Sequence, residues 1–125
     1  MYFDNTMNDK IPIFPLPLVL LPGEKLPLHI FEAKYKKMIE YCLKHNKKFG
    51  IINSKNNDSL SIGCTAEITQ IAAAGRDTGE YDILVTGVER FIVKSYNFSK
   101  DFKQAYVKTW QDIDDSVDET VSYTH

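Results

Sequence analysis

All five prolines of the chain fall within residues 11–31, a stretch that is otherwise mostly Ile, Leu, Val and Phe. Proline has no backbone N–H and a fixed φ, so this stretch can be neither a helix interior nor a central strand. Its apolar side chains nevertheless require burial. A short strand over Ile11–Phe14, a tight bend and a second strand over Lys25–Ile30 satisfy both requirements. Pro22 and Gly23 predict the bend, because Pro presets φ at the first central turn position and Gly tolerates a positive φ at the second.

The segment after the second strand changes to helical spacing. A helix is predicted from Glu32 to about Lys47, with the cations of its last turn favourably placed against the helix dipole. Its apolar face consists of residues spaced by three and four positions: Tyr35, Met38, Ile39, Cys42 and Leu43. This helix is expected to pack against the sheet through that face.

The remainder of the chain alternates short apolar runs with turn-forming residues. Strands are expected at residues 49–53, 60–73, 80–86, 90–96 and 102–113. The alternation within the second of these slips after Ile68, which predicts a β-bulge near Gln70, and Gly87 is expected to begin a break between two later strands. Loops are expected at 54–61, 75–79 and 97–101. Because so many short strands must hide their edges, the sequence predicts a mainly β fold with one α-helix, a small barrel that the helix plugs or flanks.

Two long runs of the sequence resemble a known domain. The run IPIFPLPLVLLPGEKLPLHIFEAKYKKMI is similar to the start of the N-terminal domain of the Lon (La) family of ATP-dependent proteases, which also occurs in stand-alone bacterial proteins and in cereblon. The run IGCTAEITQI followed by GEYDILVTGVERFIV resembles a later part of the same domain. The resemblance covers about residues 11–112 and implies a PUA-like barrel. Ala33 stands where relatives often have Pro, a small departure because a helix can begin without Pro.

The domain organisation follows from composition and from this resemblance. A chain of 125 residues with 43% hydrophobic and 26% charged content is typical of a single globular domain. Residues 1–10 are expected to form a flexible polar lead, and 11–112 the domain itself. Residues 113–125 are expected to be an acidic tail or the start of a helical subdomain that Lon relatives possess. Without a signal peptide or a membrane-length apolar run, the expected location is cytoplasmic.

Catalytic motifs are absent from the sequence. No G-x-x-x-x-G-K-[ST] motif is present, so no phosphate-binding P-loop is expected. The resemblance implies that a full Lon protease carries its Ser–Lys dyad in a separate domain. Ser54–Lys55 and Ser99–Lys100 are neighbours in sequence, and neighbours on a strand point to opposite faces. The chain is therefore expected to have no enzymatic activity and no cofactor of its own, although its parent could be an ATP-dependent serine protease.

A metal site is not expected either. Cys42 and His45 are three positions apart on the predicted helix and could present two ligands on one face. Zinc in structural sites has about four protein ligands, and outside the C-terminal segment only His29 and Cys64 remain. Cys42 also belongs to the apolar face, so a buried cysteine beside a surface histidine is the favoured interpretation.

Lysines on and after the helix suggest an alternative function, an RNA-binding PUA-like module. Its basic face would include Lys37, Lys44 and Lys48. The formal net charge is −2 and the chain has only two arginines, Arg76 and Arg90, whereas arginine is the usual bidentate reader of bases and phosphates. Nucleic acid is therefore the less favoured partner. Arg90 either binds a partner's carboxylate or ties its hairpin to a neighbouring acid while Phe91 fills the barrel, and the second role is favoured.

The most informative surface feature is a consecutive apolar run between the first two strands. Its members are Leu16, Leu18, Val19, Leu20 and Leu21. One side of such a run can be buried, and the other must face something, since contiguous exposed apolar area marks partner sites. With the resemblance, this run predicts a substrate-recognition domain that binds exposed apolar segments of unfolded or tagged proteins. Contacts with the rest of a Lon-type protease, or self-association as a structural domain, are the remaining expected roles.

Overall fold

The computed structural model of this chain describes residues 10–55, 61–73, 79–98 and 101–109. These residues form six strands and one helix. In chain order they are β1 (Lys10–Leu16), β2 (Lys25–Ile30), α1 (Ala33–Lys44), β3 (Lys48–Asn53), β4 (Ile62–Ala73), β5 (Tyr81–Asn97) and β6 (Gln104–Thr109).

The strands form one sheet that closes on itself. The order across the sheet is β2-β5-β4-β3-β1-β6, and β6 also pairs with β5. The 17-residue strand β5 makes this closure possible, because Tyr81–Thr86 pair with β2 while Phe91–Asn97 pair with β6. All strand pairs are antiparallel except β1 with β3. The expected mainly β fold with one helix and a closed barrel is therefore confirmed for the described residues.

Most strand expectations agree with the structure, and one does not. Strand β2 has the expected bounds, and the register of β4 against β5 shifts between Ile68 and Gln70, which confirms the bulge. The expected end of a strand at Gly87 is wrong, since β5 runs on from Tyr81 to Asn97, although its register against β4 shifts between Gly87 and Arg90. Gly87 is needed instead for a close contact with the segment before β2, and a distant contact of this kind leaves no local sequence signal.

The helix is shorter than expected at its C-terminal end. It ends at Lys44 rather than about Lys47, and Lys47 itself has a positive φ of 64°. The backbone N–H of Lys47 donates to the Cys42 carbonyl at 2.8 Å, which satisfies a helix-terminal acceptor. Met38, Ile39 and Cys42 are buried as the helical spacing predicted.

Several expectations concern residues outside the described ranges. They are the N-terminal lead up to residue 9, the loop over 56–60, the loop over 75–78, Ser99–Lys100, the last strand beyond Thr109 and the segment 113–125.

The buried side chains form two clusters. One joins α1 to the sheet and includes Phe14, Leu20, Met38 and Phe49. The other lies around Phe91, and its buried members are Ile13, Ile52, Phe91, Ala105 and Val107. Burial of these apolar groups is the dominant favourable term in folding. The first cluster contains Leu20, from the loop between β1 and β2, and therefore holds that loop against the barrel.

Gln104 is the one polar side chain among the fully buried residues of the described chain. It lies opposite Pro12 on β1 and Asn97 on β5, has no exposed surface, and neither its amide oxygen nor its amide nitrogen has a hydrogen-bond partner. Because an unsatisfied buried polar group costs about 1–3 kcal/mol, we expect Gln104→Met, which keeps the shape, to raise the free energy of unfolding by about 1 kcal/mol in urea denaturation.

The exposed Gln70 provides the matched control for this prediction. The same change there, Gln70→Met, should leave stability within about 0.5 kcal/mol of wild type. A loss of stability in Gln104→Met would contradict the prediction, because it would mean that the amide of Gln104 is hydrogen-bonded inside the barrel.

Candidate functional site

The loop between β1 and β2, residues 17–24, is held against the barrel by backbone hydrogen bonds. The Gly23 N–H donates to the Gly87 carbonyl and the Gly87 N–H donates to the Glu24 carbonyl, both at 2.8 Å. Within the loop, the Glu24 N–H donates to the Leu21 carbonyl at 3.0 Å, and the Glu24 carboxylate accepts from the Leu21 N–H at 2.8 Å. Gly23 has a φ of +87°, as the predicted Pro–Gly bend requires. These contacts give the loop a fixed conformation.

Gly87 allows the loop to approach β5 closely. A Cβ atom added at Gly87 would lie 2.3 Å from the Leu21 carbonyl oxygen and 3.0 Å from the Leu21 carbonyl carbon. Both are backbone atoms that cannot rotate away, so no larger residue fits here. In the run Gly87-Val-Glu-Arg-Phe91, which is part of the family resemblance, Gly87 thus lies against the apolar loop.

The apolar residues of the loop divide between the interior and the surface. Leu20 is 5% exposed and packs in the core, whereas Val19 is 65% exposed and Leu21 is 46% exposed. Leu16 and Leu18 are half-buried against the same core. Leu20 therefore anchors the loop, and the outward-facing apolar surface consists of Val19 and Leu21 with the exposed part of Leu18.

A small pocket lies beneath this loop. Its volume is about 120 Å³, and we call it the loop pocket. The loop supplies one wall, Leu18–Leu21, and the barrel supplies the other from Ile51, Asn53, Ile62, Gly63, Cys64 and Arg90. Burial raises the pKa of the Cys64 thiol, while the nearby Arg90 charge acts in the opposite direction. The thiol therefore stays neutral, and Arg90 is the charged group that lines the loop pocket.

A second apolar depression, the β2 cleft, lies between the end of β1, the end of β2 and the start of α1. It measures about 310 Å³ and is lined by Phe14, Pro15, Leu16, Leu28, His29, Ile30, Phe31, Glu32 and Tyr35. Phe31 is 59% exposed at this cleft, and sequence reasoning did not single it out. The available signal was the pair Ile30–Phe31, because two adjacent apolar residues interrupt the in–out alternation of β2.

His29 joins β2 to β5 through two carboxylates at the edge of the β2 cleft. Its Nδ1 lies 2.8 Å from the Asp82 carboxylate and its Nε2 lies 3.0 Å from the Glu80 carboxylate. Carboxylates only accept hydrogen bonds, so both contacts require a doubly protonated imidazolium. The hydrogen bond to Asp82 is the main cause that raises the pKa of His29, and Glu80 acts in the same direction.

A pH dependence of stability follows from His29. The pKa of His29 is higher in the folded state than its unfolded value of 6.5, so protonated His29 stabilises the fold. This stabilisation is fully present below pH 6.5 and is lost as the pH rises through the pKa of His29 in the folded state. We therefore expect the melting temperature of wild type minus that of His29→Gln to decrease between about pH 6 and pH 9, as measured by circular dichroism.

His45→Gln serves as the control, because the His45 Nδ1–H donates to the uncharged Tyr41 carbonyl of α1 at 2.7 Å rather than to a carboxylate. Its pH profile should parallel that of wild type. A wild-type minus His29→Gln difference that stays constant or grows with pH would contradict the role assigned to His29.

The three lysines expected to form a basic face lie in different surroundings. Lys37 is on α1 and pairs with Asp101 at 3.3 Å. Lys44 is exposed at the end of α1. Lys48 is half-buried on β3, where it lies directly opposite Glu67 on β4. Two of the three lysines thus have an acidic neighbour, which reduces the positive potential available to a nucleic acid.

The residues weighed for metal binding and catalysis have structural surroundings. Cys42 is 1% exposed, its thiol donates to the Lys48 carbonyl, and burial raises the pKa of its thiol to about 12. The Ser54 N–H donates to the Leu16 carbonyl and helps to fix the end of β1. In the parts of the chain that the structure describes, no three His, Cys, Asp or Glu side chains are grouped as metal ligands. The described helix is too short and too polar to cross a membrane.

Comparison with known proteins identifies the family. The family model of the ATP-dependent protease La (LON) substrate-binding domain matches residues 10–124. The chain therefore belongs to the family of Lon substrate-binding domains. This domain is a non-catalytic part of Lon proteases.

Curated relatives agree with this assignment. The Lon protease of Buchnera aphidicola subsp. Baizongia pistaciae is 31% identical over 108 residues, which are 79% of this chain and 14% of that protein. The Lon protease of Porphyromonas gingivalis is 25% identical over 119 residues, 88% of this chain and again 14% of that protein. The chain thus spans about one seventh of the length of these relatives.

Solved structures share the fold. A crystal structure of a Lon N-terminal domain protein from Xanthomonas campestris superposes with a TM-score of 0.67 and 24% identity, covering 81% of this chain and 59% of that chain. The N-terminal domain of a Mycobacterium avium complex Lon protease gives a TM-score of 0.65 and 16% identity, covering 81% and 54%. The closed barrel with its helix is therefore the fold of Lon N-terminal domains.

Proposed function

We propose that this chain is a substrate-recognition domain that binds exposed apolar segments of unfolded or tagged proteins and delivers them for ATP-dependent proteolysis. The observation that carries the proposal is the loop 17–24, which presents Val19 and Leu21 to solvent while Leu20 and backbone hydrogen bonds fix its conformation. A preorganised apolar surface binds without the entropy cost of ordering the loop.

Binding is hydrophobic and sequence-tolerant. The exposed side chains of Val19 and Leu21 lie beside the loop pocket, so an extended segment can cover the loop and place one side chain in the pocket. Such a contact buries a small area, and its affinity for one segment is micromolar or weaker. We assign the proteolytic chemistry to other domains of a Lon-type protease.

Fluorescence anisotropy with labelled, reduced and carboxymethylated lysozyme, which stays unfolded, tests this function. The double variant Val19→Ser/Leu21→Ser is expected to bind at least about tenfold more weakly, because two apolar side chains no longer become buried. Its melting temperature should be close to that of wild type, since both side chains are exposed in the free domain.

Ile71→Ser provides the matched control, because Ile71 is also partly exposed, at 40%, but lies on β4 outside the loop pocket. It should bind the unfolded protein as wild type does. Equal affinities of wild type and the loop double variant would refute the proposed function of the loop. If binding is instead lost in Lys37→Glu and Lys44→Glu, and if the affinity of wild type falls steeply as salt is raised, the basic face rather than the loop is the binding site.

A further inference from the structure

Strand β2 has one edge that pairs with no other strand of the described chain. Among the described strands it neighbours β5 alone. Successive residues of an antiparallel strand direct their backbone N–H and C=O groups to opposite sides. The Glu24 carbonyl accepts from the Gly87 N–H of β5, so the backbone groups of Lys25, Pro27 and His29 point away from β5. We call this row of backbone groups the β2 edge.

Proline limits where the β2 edge can pair with a further strand. Pro27 has no N–H, so it offers an acceptor and no donor. His29 offers both its N–H and its C=O, and no backbone hydrogen bond joins either group to a described residue on that side. Open strand edges pair with extended polypeptide through such groups. Pairing is therefore strongest at the His29 end of the edge.

The β2 cleft opens at this end of the β2 edge, because His29 belongs to both. A cavity of about 150 Å³ holds one benzene molecule, and the β2 cleft measures about 310 Å³. Its walls are largely aromatic, since the Phe14 and Tyr35 rings stack with centroids 4.2 Å apart and Phe31 is 59% exposed. Aromatic rings pack favourably against one another. The cleft therefore accommodates one aromatic or long aliphatic side chain of a segment that lies along the β2 edge.

The charges at the mouth of the β2 cleft favour a cation close to that side chain. Glu32 lines the cleft, makes no side-chain hydrogen bond to cap α1, and forms no ion pair with a described residue. The other charge in the lining, His29, is already shared between Asp82 and Glu80. Lys34 is the nearby cation on α1, and it forms no ion pair with Glu32. Three carboxylates thus accompany two cations, and a Lys or Arg of a bound segment balances the third.

We propose that the β2 edge binds an extended polypeptide segment as an added strand, with an aromatic or long aliphatic side chain in the β2 cleft and a Lys or Arg two residues away beside Glu32. Residues two apart in an extended chain point to the same side, roughly 7 Å apart, so one segment satisfies both contacts. This inference rests on the proposed function and narrows its substrate class, and it uses a site other than the loop 17–24. Main-chain hydrogen bonds supply affinity, and the cleft supplies selectivity.

A peptide series tests the inference on the intact chain by NMR titration. The parent is the acetylated and amidated decamer Gly-Ser-Thr-Thr-Phe-Thr-Lys-Thr-Ser-Gly. One relative has Ser in place of Phe, and another has Glu in place of Lys. The parent is expected to bind wild type about tenfold more tightly than the Ser peptide and about threefold more tightly than the Glu peptide. The largest amide shifts should lie at His29 and Phe31.

Backbone methylation distinguishes an added strand from a side chain that simply fills the cleft. Only every second residue of an added strand donates its N–H to the β2 edge, so N-methylation at Phe and N-methylation at the Thr that follows it should differ in effect. One of the two methylated decamers is expected to bind as the parent does. The other should bind at least about fivefold more weakly, because it loses a main-chain hydrogen bond.

Variants of the chain assign the two side-chain contacts. Glu32→Gln should remove the preference for the parent over the Glu peptide, whereas Glu40→Gln, at an exposed position on α1 outside the cleft, should keep it. Phe31→Ser should weaken binding of the parent about fivefold. Phe98→Ser, at a 70% exposed position outside the cleft, should not. All four side chains are exposed in the free domain, so these variants should fold.

Several results would overturn the inference. They are a decamer that does not bind wild type, equal binding of the parent and Ser peptides, equal effects of the two N-methyl groups, and a preference for Lys that persists in Glu32→Gln. Decamer binding that is lost in Val19→Ser/Leu21→Ser but kept in Phe31→Ser would overturn it too, since the loop would then be the peptide site. The proposed function survives each of these results if carboxymethylated lysozyme still binds through Val19 and Leu21. If neither the decamer nor the unfolded protein binds, both the inference and the proposed function fail.

Discussion

Phe91→Ala is expected to lower the free energy of unfolding by about 3–5 kcal/mol. Phe91 has no exposed surface and lies at the centre of the second buried cluster. A Cβ atom at Gly50 or Gly63 would lie 2.7 or 2.6 Å from the Phe91 ring, so the ring rests directly on the backbones of β3 and β4. Because these closed strands cannot move inward to fill the space, most of the cavity left by the ring remains.

Phe98→Ala is the matched control for Phe91→Ala, since Phe98 follows the end of β5 and is 70% exposed. Its contacts are with Tyr96 at 6.2 Å between ring centroids and with the Lys103 ammonium at 5.8 Å. The control should cost less than about 1 kcal/mol. Urea denaturation of the three proteins measures the difference, and similar losses for both variants would mean that Phe91 does not fill the barrel.

Gly87→Ala is expected to cost about 2–3 kcal/mol and to weaken substrate binding. The added methyl group would be 2.3 Å from the Leu21 carbonyl oxygen, so either the loop 17–24 or strand β5 has to shift. A shift of the loop would break its paired hydrogen bonds with Gly87. Amide hydrogen exchange should therefore accelerate in the loop, and anisotropy with carboxymethylated lysozyme should report a lower affinity than for wild type.

Gly23→Ala separates this close contact from the backbone preference of glycine. Gly23 has a φ of +87° but nothing within 4 Å of an added Cβ, so its substitution should cost roughly 1 kcal/mol through backbone conformation alone. If Gly87→Ala costs less than Gly23→Ala, or leaves exchange in the loop unchanged, the loop is not held by its contact with β5.

The local parts of the fold were accessible from the sequence because their signals lie within a few residues. The prolines fixed the bounds of β2 and the Pro22–Gly23 bend, and helical spacing identified the buried face of α1. The bulge near Gln70 followed from a slip in the alternation of β4. Gly87 was misinterpreted as a strand break, since its actual reason is contact with Leu21, a residue distant in sequence.

The candidate site was only partly accessible for the same reason. Composition singled out the apolar run, but consecutive apolar residues have no period that tells which of them point inward. Coordinates were needed to distinguish the buried Leu20 from the exposed Val19 and Leu21. The contact between His29 and Asp82 depends on the register of β2 against β5, which no local pattern specifies.

The most direct measurement of the central claim is an NMR map of the domain titrated with unfolded carboxymethylated lysozyme. If the loop recognises substrates, the largest amide shifts will lie at Leu18–Leu21 and on the barrel wall of the loop pocket, at Gly63 and Arg90. The lysines of α1 should show little change. Shifts centred on Lys37 and Lys44, or shifts that leave residues 17–24 unaffected at saturation, would contradict a loop-based substrate site.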